Sequence, residues 1–135
     1  MQFQMPSRPL ILGLTTLPLL LGGCATSAFA PAPKINTVIL ANNTETTIHD
    51  VTIRVEAFGG KFYCGTIPPQ TQCSTRFPAR EYEANPVTVS WQQQGVSHET
   101  APFTVPTAEQ LSETPLAARL TVMPGKQVDA QLEPQ

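Results

Sequence analysis

Charge is scarce in this sequence: eight lysines and arginines and ten acidic residues make up 13% of its 135 positions. So few cations, none of them gathered into a stripe, leave nucleic acid outside the expected partners, along with any membrane surface recognised by charge alone. Histidine and cysteine are rarer, at two and three. A zinc site wants about four ligands, and Cys64 and Cys73 lack the C-x-x-C spacing that marks one, so neither a metal nor a cofactor is expected. Glycine-rich phosphate loops, Asp-rich calcium loops and H-E-x-x-H are missing, and Ser74, Ser90, Ser97 and Ser112 have no G-x-S-x-G setting. His49 adjoins Asp50 and His98 adjoins Glu99. Neighbours on a strand point to opposite faces, so neither pair is preorganised for acid–base work and both histidines read as polar surface. The chain is not expected to be an enzyme. A long apolar run is lacking too: Leu10 to Leu21 is a dozen residues broken by Gly13, Thr15, Thr16 and Pro18, where a membrane-spanning helix needs about 20.

What that run does fit is a secretory signal, with Arg8 ahead of it and small residues behind it. Two cleavage sites compete. Ala28-Phe29-Ala30 has the A-x-A form of an ordinary signal peptidase site, but Pro31 would follow the scissile bond, fixing the backbone and removing an amide hydrogen. Leu21-Gly22-Gly23-Cys24, directly against the apolar run, resembles the lipobox of bacterial lipoproteins. That resemblance covers Met1 to Ala25 and implies removal of residues 1–23, with diacylglycerol on the Cys24 sulfur. It further implies an outer-membrane address in a Gram-negative cell, since Ala25 stands where an aspartate would retain the protein at the inner membrane. One myristoyl chain binds a membrane only marginally, whereas each buried methylene adds about 0.8 kcal/mol, so several acyl chains (palmitate among them) would anchor permanently. The bland alternative is a soluble secreted domain.

Processing at Cys24 leaves 112 residues, seven of them basic and ten acidic, enough for one domain with its own core. Residues 24–34, with Pro31 and Pro33 among small side chains, read as a lipidated tether, and 35–135 as the domain. Cys64 and Cys73 remain as an even pair bound for an oxidising compartment and read as a disulfide, the alternative being two buried thiols.

From Ile35 the hydrophobic period is two. Thr37 to Ala41 is a short apolar run, and Val51, Ile53 and Val55 alternate with polar residues. The turn-rich Asn42 to Thr47 between them predicts a hairpin or neighbours in one sheet. Phe62 to Cys64 and Gln72 to Phe77 flank Pro68-Pro69, predicting a hairpin clamped by the disulfide. Val87, Val89 and Trp91 share one face, so the single tryptophan is placed in the core. Val96 to Val105 reads as an edge strand restricted by Pro102 and Pro106. Thr107 to Glu113 is the one helical candidate, with Thr107 as N-cap and Gln110 at the capping-box position. Leu116 to Met123 and Gln127 to Leu132 form a last pair around Pro124-Gly125-Lys126. Seven to eight short strands in about 100 residues predict an all-β, immunoglobulin-like two-sheet β-sandwich, with a small closed β-barrel as the alternative.

Arg76 to Glu83 crowds basic, aromatic and acidic groups into an apparent loop beside the disulfide. Arginine and tyrosine are enriched at binding hot spots, so Arg76, Arg80 and Tyr82 form the candidate binding surface. The competing expectation is that Phe77 and Tyr82 pack inward while Arg80 pairs with Glu81 or Glu83. Two functions follow from different classes. One is a non-catalytic envelope binding or structural module on the periplasmic face of the outer membrane, meeting a protein or peptide. The other is a periplasmic enzyme inhibitor of the lysozyme-inhibitor type, although the Ser-Gly-x-x-Tyr loop of those inhibitors is missing. The Asn-rich turn, Cys-Gly, Pro-Pro, Cys-Ser and Val-x-Val-x-Trp order is similar to small uncharacterised lipoproteins of Gram-negative bacteria, a resemblance that implies no activity.

Overall fold

A computed structural model describes residues 32–107 and 114–135, all within the compact unit Ala32–Gln135. The lipobox, Cys24 and most of the helical candidate lie outside the described residues. Eight strands form two four-stranded sheets: β1 Lys34–Asn42, β2 Ile48–Val55, β3 Gly60–Ile67, β4 Thr71–Glu81, β5 Val87–Gln93, β6 Val96–Glu99, β7 Leu116–Met123 and β8 Gln127–Glu133. One sheet runs β4-β1-β7-β8, with β1 and β7 parallel, and the other runs β3-β2-β5-β6, antiparallel throughout. This is the all-β sandwich that the alternation predicts. No barrel closes.

The apolar alternation supplies the core, and three bulges keep it facing inward. In β1 the pairing with β7 shifts between Ile35 and Thr37, so the inward set changes from Ile35 to Val38, Leu40 and Asn42. In β2 it shifts between Ile48 and Val51, with Asp50 at φ 49°, and the inward set becomes Val51, Ile53 and Val55. In β3, Gly65 at φ 67° lies between inward Cys64 and inward Ile67. Each bulge adds one residue and turns the strand over. Trp91 is 2% exposed inside this core, as its spacing from Val87 and Val89 predicts.

Five expectations are corrected. β1 and β2 are not sheet neighbours, because the chain crosses the sandwich between them: the buried Asn42 side chain binds Thr44 and Thr46 and turns the backbone away. β3 and β4 are likewise in opposite sheets, as Pro68 and Pro69 have no N–H to close a ladder. Cys64 and Cys73 are bonded, with Cα atoms 6.2 Å apart, yet they join two sheet edges and do not clamp a hairpin. The strand expected over Val96 to Val105 ends at Glu99, after which Phe103 forms only a single bridge to Val87. The domain begins earlier than residue 35: Pro33 is buried, its carbonyl accepts the Tyr82 N–H at 2.8 Å, and Lys34 opens β1 opposite Glu81.

Candidate functional site

Arg76 to Glu81 is the end of an edge strand and not a loop. Edge placement is what tolerates Pro78 in a strand, since its missing N–H faces no ladder partner. Between the pairs Ile35 with Arg80 and Thr37 with Arg76, β1 spends only Asn36 while β4 spends Phe77, Pro78 and Ala79. That bulge separates the fates of the two arginines. Arg76 alternates with inward Thr75 and Phe77, and lies on the exposed outer face. Arg80 is exposed at the rim of a cleft between the sheets, its guanidinium carbon 5.7 Å from the Phe77 ring centroid. Of the predicted trio, then, the structure brings together Arg80 and Tyr82 but not Arg76.

Phe77 and Tyr82 are half-buried, between the two outcomes the sequence offers. Phe77 meets Phe62 of the opposite sheet, ring centroids 5.8 Å apart, continuing the seam begun by the disulfide. Tyr82 is held at both ends of the residue: its N–H donates to Pro33 and its hydroxyl donates to the Val105 carbonyl. Burial pushes the Tyr82 phenol above its ordinary value of 10.0. A side chain so fixed is part of the frame of the site.

The cleft has a volume of about 170 Å³. Ile35, Val38 and Leu120 wall it from one sheet and Ile53, Val55 and Phe62 from the other, while Arg80, Glu81 and Glu83 stand at its rim. These wall residues, Phe62 and Val55 among them, are contributors that sequence reasoning missed. The alternation marks them as inward, but nothing local says that two sheets part there. The histidine pairs do not gather into a site. His49 is exposed with Nδ1 3.3 Å from the Thr66 hydroxyl, and Glu99 lies 3.9 Å from Arg54. His98 corrects the surface expectation: it is half-buried, its ring centroid 5.3 Å from that of Trp91, which lies directly opposite on β5. Among the described residues no group of three or more His, Cys, Asp or Glu side chains is placed to hold a metal ion.

On the outer face of the other sheet, Tyr63 is 62% exposed and its hydroxyl donates to Asp50 at 3.0 Å. That bond, made to the carboxylate, raises the Tyr63 phenol. It ties β3 to the β2 bulge and joins no other functional group. No helix among the described residues is long and apolar enough to cross a membrane.

No protein-family model matches the chain, and no curated protein does. A solved structure, described as the NMR structure of the protein from Eubacterium rectale, is similar to it over 74% of this chain and 88% of that one, at 14% identity and a TM-score of 0.49. A likeness of that degree adds nothing to the reading of function.

Proposed function

We propose that the chain is a lipoprotein anchored through Cys24 at the periplasmic face of the outer membrane, and that its sandwich is a non-catalytic module binding an envelope protein or peptide. The observation that supports a binding role is the rim at the end of β4, where exposed Arg80 lies over Phe77 beside an apolar cleft. A guanidinium seated on an aromatic face offers directional donors and apolar contact together, the combination enriched at binding hot spots. Because Tyr82 frames the cleft, Arg80 is the better position to test.

The test is affinity capture from envelope extracts with the intact lipoprotein and two variants. Arg80→Ala is expected to weaken capture by the 1 kcal/mol or more that distinguishes a hot spot, while Arg76→Ala on the outer face leaves it unchanged. Equal capture by both variants, with the fold intact, would move the contact surface elsewhere.

A further inference from the structure

We infer that the cleft between the sheets is a binding site for one small uncharged apolar molecule, the size of a single six-membered ring or of an alkyl chain end. The inference goes beyond the module proposed above and depends neither on the lipid anchor nor on a protein partner.

Size comes first. An enclosed apolar cavity of about 150 Å³ is large enough to take up benzene, and this cleft, which opens at its rim, offers about 170 Å³. Its wall is the second ground. Ile35, Val38, Ile53, Val55, Phe62 and Leu120 bring no polar side-chain atoms, the Tyr82 hydroxyl is already committed to the Val105 carbonyl, and the other polar lining side chains are Arg80, Glu81, Glu83 and Asn85, whose amide lies 3.4 Å from the Glu83 carboxylate. A water molecule needs two to four polar partners and the apolar wall supplies none away from those side chains, whereas an apolar guest gives that wall the van der Waals contacts an empty space lacks.

The third ground is where the charge lies. Arg80, Glu81 and Glu83 are exposed at the rim, with exposed Lys34 opposite Glu81 on β1, two cations and two anions. A carboxylate on the guest would leave its charge beside a low-dielectric space, and a mouth of balanced charge does not offset that cost, so an uncharged guest is favoured over an anionic one of the same shape. The opening itself follows from the chain: the bulge at Phe77, Pro78 and Ala79 breaks the regular β1–β4 pairing at this end. Nothing in the alternation of the strands requires that opening.

The test uses the full chain carrying Cys24→Ser, which takes no lipid, titrated with benzene, 1-hexanol and hexanoate while methyl NMR signals are followed. Benzene and 1-hexanol are expected to shift the methyls of Ile35, Val38, Ile53, Val105 and Leu120 saturably. The methyls of Ile48, Ile67 and Val122, outside the cleft wall, should stay in place. Hexanoate should bind several-fold more weakly than 1-hexanol. Ala118→Leu, which adds bulk to a buried wall position, should abolish the shifts. Should that variant not fold, xenon-induced shifts of the same methyls in the parent chain decide the matter. No saturable shift, shifts scattered over surface methyls, or undiminished binding in folded Ala118→Leu would overturn the site. Hexanoate binding as tightly as 1-hexanol would overturn its preference for an uncharged guest.

Discussion

Asn42 shows how much of this fold rests on single side chains. It is 1% exposed. Its Nδ2 donates to the carbonyls of Thr46 at 2.9 Å and Ile67 at 3.0 Å, and its Oδ1 accepts from the Thr44 N–H at 3.0 Å and the Thr44 hydroxyl at 2.6 Å. One residue thereby ties β1, the crossing loop and the end of β3. The sequence reads Asn42 to Thr47 only as a polar, turn-rich segment, because an asparagine that fills its hydrogen bonds inside a protein looks the same as one that meets water. Asn42→Ala should leave several buried groups unpaired and cost roughly 2 to 3 kcal/mol in a denaturant titration. Asn42→Asp should be at least as damaging at neutral pH, since a carboxylate would face two carbonyl oxygens. Tyr82 carries a second prediction. Tyr82→Phe keeps the ring and removes the donor to Val105, which should cost about 1 kcal/mol. Its pH dependence is one-sided: the folded phenol holds its proton more tightly than the unfolded one, so its contribution is complete below pH 10.0 and fades as pH rises through the higher folded value. Alkaline unfolding curves of the parent chain and Tyr82→Phe should therefore converge above pH 10.0, and a constant gap across that range would contradict the assignment.

At the scale of strands, the period-two pattern is legible, as is the last hairpin, β7 with β8, while the partners of the first four strands are not. Val51, Ile53 and Val55, or Val87, Val89 and Trp91, announce their faces, and all but half-buried Val55 are buried. What the alternation cannot carry is the parity change at each bulge, which depends on the neighbouring strand, or the choice between turning back along one sheet and crossing to the other. Both connections whose strands were misassigned, Asn42 to Thr47 and Pro68 to Gln70, contain turn residues compatible with either course. The disulfide inherits the difference. Since it links the edge strands β3 and β4 of opposite sheets, its loss frees both edges to separate and leaves no hairpin ladder between them to hold the pair. The Cys64→Ala, Cys73→Ala double variant should lose roughly 2 to 3 kcal/mol on the chain-entropy scale. Its β signal should persist below the lowered Tm. Amide exchange should accelerate first in β3 and β4, each of which has a sheet partner on one side only; uniform acceleration through both sheets would argue that the bond acts on the whole core.

For the molecule as a whole, the candidate site was half legible. Arg80 and Tyr82 stood out by composition, but the cleft they border is made by residues from both sheets, from Ile35 to Leu120, and its existence is a property of how the sheets part. The chain enters the sandwich at this same end, where Lys34 pairs opposite Glu81 and Pro33 accepts from Tyr82. If Cys24 is the anchor, the eight residues from Ala25 to Ala32, ahead of buried Pro33, can span at most about 28 Å, so the start of the domain cannot stand farther than that from the lipid headgroups. This makes the attachment point consequential for function as well as address. Cys24→Ser should move the domain from the membrane pellet to the soluble fraction or stall the uncleaved precursor, and mass spectrometry of the membrane-extracted parent should find an acylated first residue at Cys24. Cleavage after Ala30 would instead yield an unmodified chain starting at Pro31, only three residues before β1 begins at Lys34. That result would leave the sandwich and its cleft intact while removing both the anchor and the limit it sets on where the rim can act.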